Sequence, residues 1–268
     1  MKLKLLLHFF IVAAGIAQYA SASDPSPAQP EPTAADSTQA AGKHDVHWSY
    51  QGEAAPDQWG GLKPEFAACK EGKTQSPIDI SQVKLTPLPS IEFHYKSSPL
   101  KIINNGHTIQ VNYQAGSYIK VGDARYDLLQ FHFHNPSEHM TGSKSSPMEV
   151  HLVHKTATGQ LGVIGVLMQQ GNVHSLVNKI WSHLPQHEGK EESKKMRVNA
   201  ADFLPKNKTY FNYIGSLTTP PCSENVNWMV LTTPIQVSKQ QITQFNKIFP
   251  ISARPVQPIN DRVVNLSY

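Results

Sequence analysis

Residues 130–139 read QFHFHNPSEH, which brings three histidines and a glutamate into ten positions. In an extended chain successive side chains point to opposite faces. Gln130, His132 and His134 therefore share one wall, while Phe131 and Phe133 turn to the other and can fill a core. A second run, MEVHLVHK (148–155), repeats the device, with Glu149, His151 and Val153 on one side and Val150, Leu152 and His154 on the other. If the two strands are neighbours, His132, His134 and His151 converge. Three imidazoles with a fourth position left to water are the donor set of a catalytic zinc site, whereas a structural site closes with a fourth protein ligand, often Cys. Gln130 and Glu149 can accept the spare ring N–H of a ligand and so fix its tautomer. A His-x-His pair alone would more often decorate a half-exposed strand. The third histidine, with Glu two places before it, favours a metal centre. The chain has no His-Glu-x-x-His helix or Gly-x-Ser-x-Gly elbow to indicate a zinc protease or a serine hydrolase.

The elements that must hold these side chains are mostly strands. IINNGHTIQVNY (102–113) offers a turn followed by alternation. DLLQFHFH, MEVHLVHK, LGVIGVLMQ and NVNWMVL are short β-rich runs bounded by Gly, Pro or polar clusters. Two segments repeat at helical spacing instead. NVHSLVNKIWSHL (172–184) sets Val173, Leu176, Val177, Ile180, Trp181 and Leu184 on one stripe behind an Asn172 cap, and SKQQITQFNKIF (238–249) does so more weakly behind Ser238. HEGKEESKKMR (187–197) mixes charges and reads as a solvated excursion.

The totals, 268 residues with 39% hydrophobic and 16% charged, suit one sizeable core. The net charge of +4 is spread along the chain, which gives no case for binding nucleic acid. Residues 1–22 have early lysines, an apolar stretch and an Ala-Ser-Ala ending, the pattern of a secretory signal peptide cut after Ala22. That apolar stretch is too short for a membrane span and no later segment supplies one, so no membrane insertion is expected. Residues 23–43, rich in Pro, Ala and Ser, read as a disordered linker ahead of a single domain at 44–268. Export would carry Cys69 and Cys222 to an oxidising compartment, where the pair is expected to form one long-range disulfide rather than two buried thiols.

QSPIDI, NNGH, QFHFH with PSEH, EVHLVH, GSLTTPPC and ARPVQP follow one another along the chain. This ordered set is similar to the α-class carbonic anhydrases in their exported bacterial form, over most of residues 47–264. The resemblance implies a predominantly β (α+β) fold, a central twisted, mainly antiparallel sheet of about ten strands with short surface helices. It implies reversible hydration of carbon dioxide to bicarbonate and a proton, through hydroxide on a zinc ion held by His132, His134 and His151. Gln130 would hold His132, Glu149 would hold His151, and a backbone carbonyl would hold His134. Thr218 would donate its hydroxyl proton to Glu138 and hence accept from the hydroxide, aiming its lone pair at the substrate.

By the same resemblance Val153, Val163, Leu217 and Trp228 form the dry wall for carbon dioxide, with Thr218 and Thr219 beside it. His107 is the proton shuttle, an imidazole whose ordinary pKa near 6.5 suits relay at physiological pH. Tyr50 and Gln110 order the intervening water. His139 and Arg254 match structural positions, and Pro77 and Pro221 match cis peptide bonds. Anions and sulfonamides are the expected inhibitors, the periplasm the expected location, with secretion the alternative, and a homodimer one expected state. In one departure, the residue after the second ligand, often Trp in animal enzymes, is Asn135. The competing readings are an exported metal-binding or storage protein and a catalytically silent module of the same fold.

Overall fold

The computed structural model describes residues 47–268, apart from the side chains of 191–194; the segments read as a signal peptide (1–22) and as a linker (23–43) lie outside the described residues. In chain order the strands are β1 (Asp79–Ile80), β2 (Lys84–Leu85), β3 (Ile91–His94), β4 (Ser98–Asn104), β5 (Ile109–Asn112), β6 (Tyr118–Val121), β7 (Ala124–His134), β8 (Met140–Thr141), β9 (Lys144–Ser145), β10 (Met148–Lys155), β11 (Leu161–Gln170), β12 (Gly189–Val198), β13 (Tyr210–Ser216), β14 (Glu224–Val237) and β15 (Asn265–Leu266). Four short α-helices accompany them, α1 (Trp59–Leu62), α2 (Ala68–Glu71), α3 (Ser175–Trp181) and α4 (Lys239–Asn246).

One large sheet runs in the order β12-β4-β5-β7-β10-β11-β14-β13-β15-β2, with β6 also on β7 and β3 on β6. Its pairings are antiparallel except for β11 with β14 and β15 with β2. The fold is therefore the mainly antiparallel, predominantly β one expected from the sequence. A smaller sheet joins β1, β8 and β9. Among the described residues no helix is long and apolar enough to cross a membrane.

Alternation along β7 and β10 divides the molecule. Phe131, Phe133, Val150 and Leu152 are fully buried in the main core, together with Leu176, Val177, Ile180 and Trp181 of α3 and Phe245 of α4. Each such phenylalanine contributes about 2–3 kcal/mol by leaving water. The opposite face holds the histidines and a smaller apolar cluster around Val153, Val163, Tyr213, Trp228 and Val230.

Two sequence expectations need correction. The cap of α3 is His174, whose ring accepts from Val177 N, and not Asn172; Val173 is 64% exposed, outside the buried stripe. The helix is short enough that its first buried residue is Leu176, so the apolar stripe begins three positions later than the spacing suggested. The charged run 187–197 is largely strand: β12 pairs antiparallel with β4 at the sheet edge. An edge strand needs backbone partners on one side only and tolerates charge, which blunts further pairing. The helix after Ser238 forms as expected, with a reciprocal capping box between Ser238 and Gln241.

Candidate metal centre

The register of β7 against β10 sets His151 opposite His132 and Glu149 opposite His134. The convergence expected from alternation thus occurs across one strand pair, and one nitrogen from each of His132, His134 and His151 lies within 4.8 Å of the others. The remaining nitrogens are all committed. His132 Nδ1 donates to Gln130 Oε1 at 2.8 Å, His134 Nδ1 to the Ser252 carbonyl at 2.6 Å, and His151 Nε2 to Glu149 Oε1 at 2.9 Å. These bonds leave His132 Nε2, His134 Nε2 and His151 Nδ1 facing one another. His134 Nε2 is buried without a hydrogen-bond partner.

Burial lowers all three imidazoles: His132 well below the ordinary value, His134 to about 4, and His151 below 6.5 against the opposing pull of Glu149. Neutral imidazoles are what a cation requires, since a ligand must give up its proton to bind. An orphaned buried nitrogen, a neutral three-nitrogen donor set and three fixed tautomers together fit a divalent metal ion of the zinc type.

Glu149 anchors the arrangement. Its Oε1 accepts from His151 and from His139 Nδ1 (2.8 Å), and its Oε2 accepts from the backbone N of Glu138 and of His139, both at 2.9 Å. Burial alone would raise its pKa, but His139 and His151 outweigh it and hold the carboxyl well below the usual range. Gly165, across from His151, leaves room for it: a Cβ there would meet Glu149 Oε1 at 2.9 Å. His139 continues inward, its Nε2 accepting from Tyr213 Oη at 2.7 Å, and Ser76 Oγ stands 2.9 Å from the same phenol. Tyr213 and Ser76 had no signal in the sequence, because their partners come from 137 residues away and from a third strand.

Glu138 is fully buried. Its Oε1 accepts from Arg254 N at 2.9 Å, while Oε2, without a hydrogen-bond partner, lies 3.5 Å from His134 Nε2 and 3.8 Å from His151 Nδ1. Burial pushes its carboxyl up to about 7, against His151, the Arg254 amide and the Thr218 hydroxyl, which pull it down. The Arg254 guanidinium donates to Gln75 Oε1, to Ser76 O and to Cys69 O, each at 2.8 Å.

The imidazoles open on a cavity of ≈ 110 Å³ whose lining includes Tyr50, Gln110, Gln130, Thr219 and His107. Gln110 sits directly across from His132 in the β5–β7 pair. A larger groove of ≈ 410 Å³ at the β2 and β15 edge, between Asp79, Lys84 and Arg262, contains no imidazole; donor chemistry, not size, marks the site. Val153, Val163 and Trp228 form one apolar cluster with Leu217 packed against it, and the Trp228 ring lies 4.8 Å from that of His151.

His107 stands at the tip of the β4–β5 hairpin, after Gly106 at φ 85°, with its backbone N donating to Asn105 Oδ1. Its ring stacks on Trp48 at 3.5 Å and 7°, with His47 beyond at 4.6 Å. Burial and the neighbouring His47 lower it to about 4, so the ordinary value near 6.5 does not apply to the ring in this position. Cys69 and Cys222 form the expected disulfide, four residues beyond Thr218. Three cis peptide bonds precede Pro77, Pro136 and Pro221, the middle one beyond the two expected.

Comparison with known proteins gives the same picture. Residues 54–268 match the family model described as eukaryotic-type carbonic anhydrase. A carbonic anhydrase from a Nostoc species is 45% identical over 225 residues, covering 82% of this chain and 85% of that one. Among solved structures, a hyperthermostable carbonic anhydrase from a hydrothermal vent chimney is 47% identical with a TM-score of 0.81, covering 83% of this chain and 100% of its own. The α-carbonic anhydrase of Thermovibrio ammonificans, solved with the inhibitor sulfanilamide, is 41% identical with a TM-score of 0.80, covering 82% and 98%.

Proposed function

The chain belongs to the eukaryotic-type, or α-class, carbonic anhydrase family and catalyses the reversible hydration of carbon dioxide; from that premise we propose how its own residues divide the work. His132 Nε2, His134 Nε2 and His151 Nδ1 would hold zinc, with Gln130, Ser252 O and Glu149 fixing their tautomers. When bound, zinc supplies a Lewis acid that acidifies a water molecule into a nucleophile near neutral pH, a behaviour for which carbonic anhydrases are the standing example. The observation that carries the reading is the orphaned, fully buried His134 Nε2 facing two other uncommitted imidazole nitrogens.

Thr218 orients the reaction. An ionised Glu138 only accepts, so the Thr218 hydroxyl donates to it and is left to accept a hydrogen bond from the attacking oxygen, turning a lone pair of that oxygen toward the substrate. Glu138 is pushed up to about 7 by burial against the pull of His151, the Arg254 amide and the Thr218 hydroxyl, and a dication held nearby would favour its ionised state. Val153, Val163, Leu217 and Trp228 offer carbon dioxide an apolar wall and exclude water from it, with Thr219 at the edge of the cavity.

Protons leave by the mouth. Tyr50 and Gln110 border the space between the imidazoles and His107 and order water there. A ring with a pKa of about 4 is neutral at pH 7; it accepts a proton only briefly and passes it on readily to buffer. A sulfonamide or an inorganic anion would compete for the open metal position. The disulfide supports an oxidising compartment, the periplasm or, as the alternative, the outside of the cell.

Stopped-flow measurement of carbon dioxide hydration, with zinc content determined on the same sample, tests the reading. One zinc per chain, loss of activity with a chelator and recovery on adding zinc are expected. A storage protein would carry metal without turnover, and a silent module would do neither. Those two readings leave the Glu138 and Thr218 pair without a purpose.

A further inference from the structure

Asn135 follows the ligand His134 directly, and nothing in the reaction uses it. It is a polar side chain only 7% exposed, and all its bonds go to a single segment. Asn135 N donates to Ser252 Oγ at 3.0 Å and Ser252 N donates back to Asn135 O at 2.8 Å. The carboxamide nitrogen donates to Pro250 O at 2.9 Å and to Phe249 O at 3.3 Å. Four hydrogen bonds therefore tie residues 249–252 to the end of β7. That segment ends in the carbonyl that receives His134 Nδ1 at 2.6 Å. Phe249, at its start, is buried in the main core, but Ile251, next to Ser252, is 46% exposed and adds little apolar anchorage at the end that carries the carbonyl.

We propose that Asn135 is a positioning residue for His134: its carboxamide pins residues 249–252 so that the Ser252 carbonyl stays in line with Nδ1–H and Nε2 stays aimed at the metal. The inference rests on the reading of His134 as a zinc ligand. A carbonyl displaced by a few tenths of an ångström would loosen the one bond that sets the tautomer and angle of this ring. Outer hydrogen-bond partners of metal-binding histidines typically control affinity to this degree. Leucine at 135 would keep the volume while leaving two carbonyls without their donor.

The test is zinc affinity and release rate, read by chelator competition on the purified full chain alongside its melting temperature. Asn135→Ala is expected to weaken zinc by roughly tenfold and speed its release, and Asn135→Leu by at least as much. Ser252→Ala, which removes one of the four bonds and keeps the carbonyl, should weaken it by about threefold. Thr86→Val breaks a hydrogen bond to Asn265 at the far sheet edge and controls for general destabilisation. It should leave zinc affinity unchanged. Affinity within about twofold of the parent in both Asn135 variants would overturn the inference, as would an equal loss in Thr86→Val, because affinity would then merely follow stability. If the Asn135 variants do not fold, Ser252→Ala decides: unchanged affinity there also overturns it. A parent chain that binds no zinc would sink the ligand assignment instead, a result distinguishable from all of these.

Discussion

The histidines of the cavity floor and the histidine at its mouth are held in opposite ways. His132, His134 and His151 each have one nitrogen fixed by a hydrogen bond and the other aimed at a shared point. Among the described residues the His107 Nε2 is buried without a hydrogen-bond partner, and the ring rests flat against Trp48. A ligand must not move, and hydrogen bonds are directional. A carrier must move, and ring stacking constrains it far less. The proposed ligand and carrier roles thus fall to one residue type in different surroundings.

The most severe way to break the comparison is at the floor. His134→Ala should abolish zinc retention and hydration activity together, read by metal analysis and stopped flow; retained zinc would mean the ring is not a ligand. Next, Thr218→Val should keep zinc and lower kcat/KM by about 10²–10³, the scale for loss of one oriented hydrogen bond at a reacting atom. At the mouth, His107→Ala should keep zinc and lower kcat by about 10-fold or more, with imidazole buffer restoring part of the loss. Equal zinc loss in His134→Ala and His107→Ala would erase the distinction between floor and mouth.

A third kind of histidine sharpens the contrast through pH. His154 is fully buried outside the site, with Nδ1 donating to Gly162 O and Nε2 accepting from Tyr95 Oη, and burial lowers it to about 4. The unfolded chain takes up this proton near pH 6.5 and the folded chain only near 4. Stability from this group is therefore complete above pH 6.5 and is lost as pH falls toward 4, by about 3 kcal/mol in all. His154→Gln should flatten that part of the unfolding curve without affecting zinc at neutral pH. The smallest effect on turnover is expected from the disulfide: on chain-entropy grounds its loop of 153 residues contributes about 5 kcal/mol before strain, so reduction should lower the melting temperature while turnover changes little in the chain that remains folded.

Period-two alternation made the floor legible, because a side chain's type and its face are both written in the sequence. QFHFH and EVHLVH could be placed on two walls before any coordinates, and His132, His134 and His151 converge from those walls. The support for His134 was only partly legible. Its partner is a main-chain oxygen, and a carbonyl of Ser252 looks in sequence like any other carbonyl. Asn135 was visible as a departure from animal relatives, but its bonds to Phe249 and Pro250 span more than a hundred residues. The stacking of His107 on Trp48 was hidden for the same reason, and with it the low basicity of the ring. β12 was misread because a sheet edge tolerates the charges that also mark a solvated loop.

Glu149 has consequences beyond holding His151. With two donors on each oxygen, it has no lone pair left to offer. The buried chain through His139, Tyr213 and Ser76 therefore begins at a group that cannot take on another hydrogen without breaking one of its bonds. A saturated carboxylate is a poor stop for a proton moving inward, which fits the proposed outward route past His107.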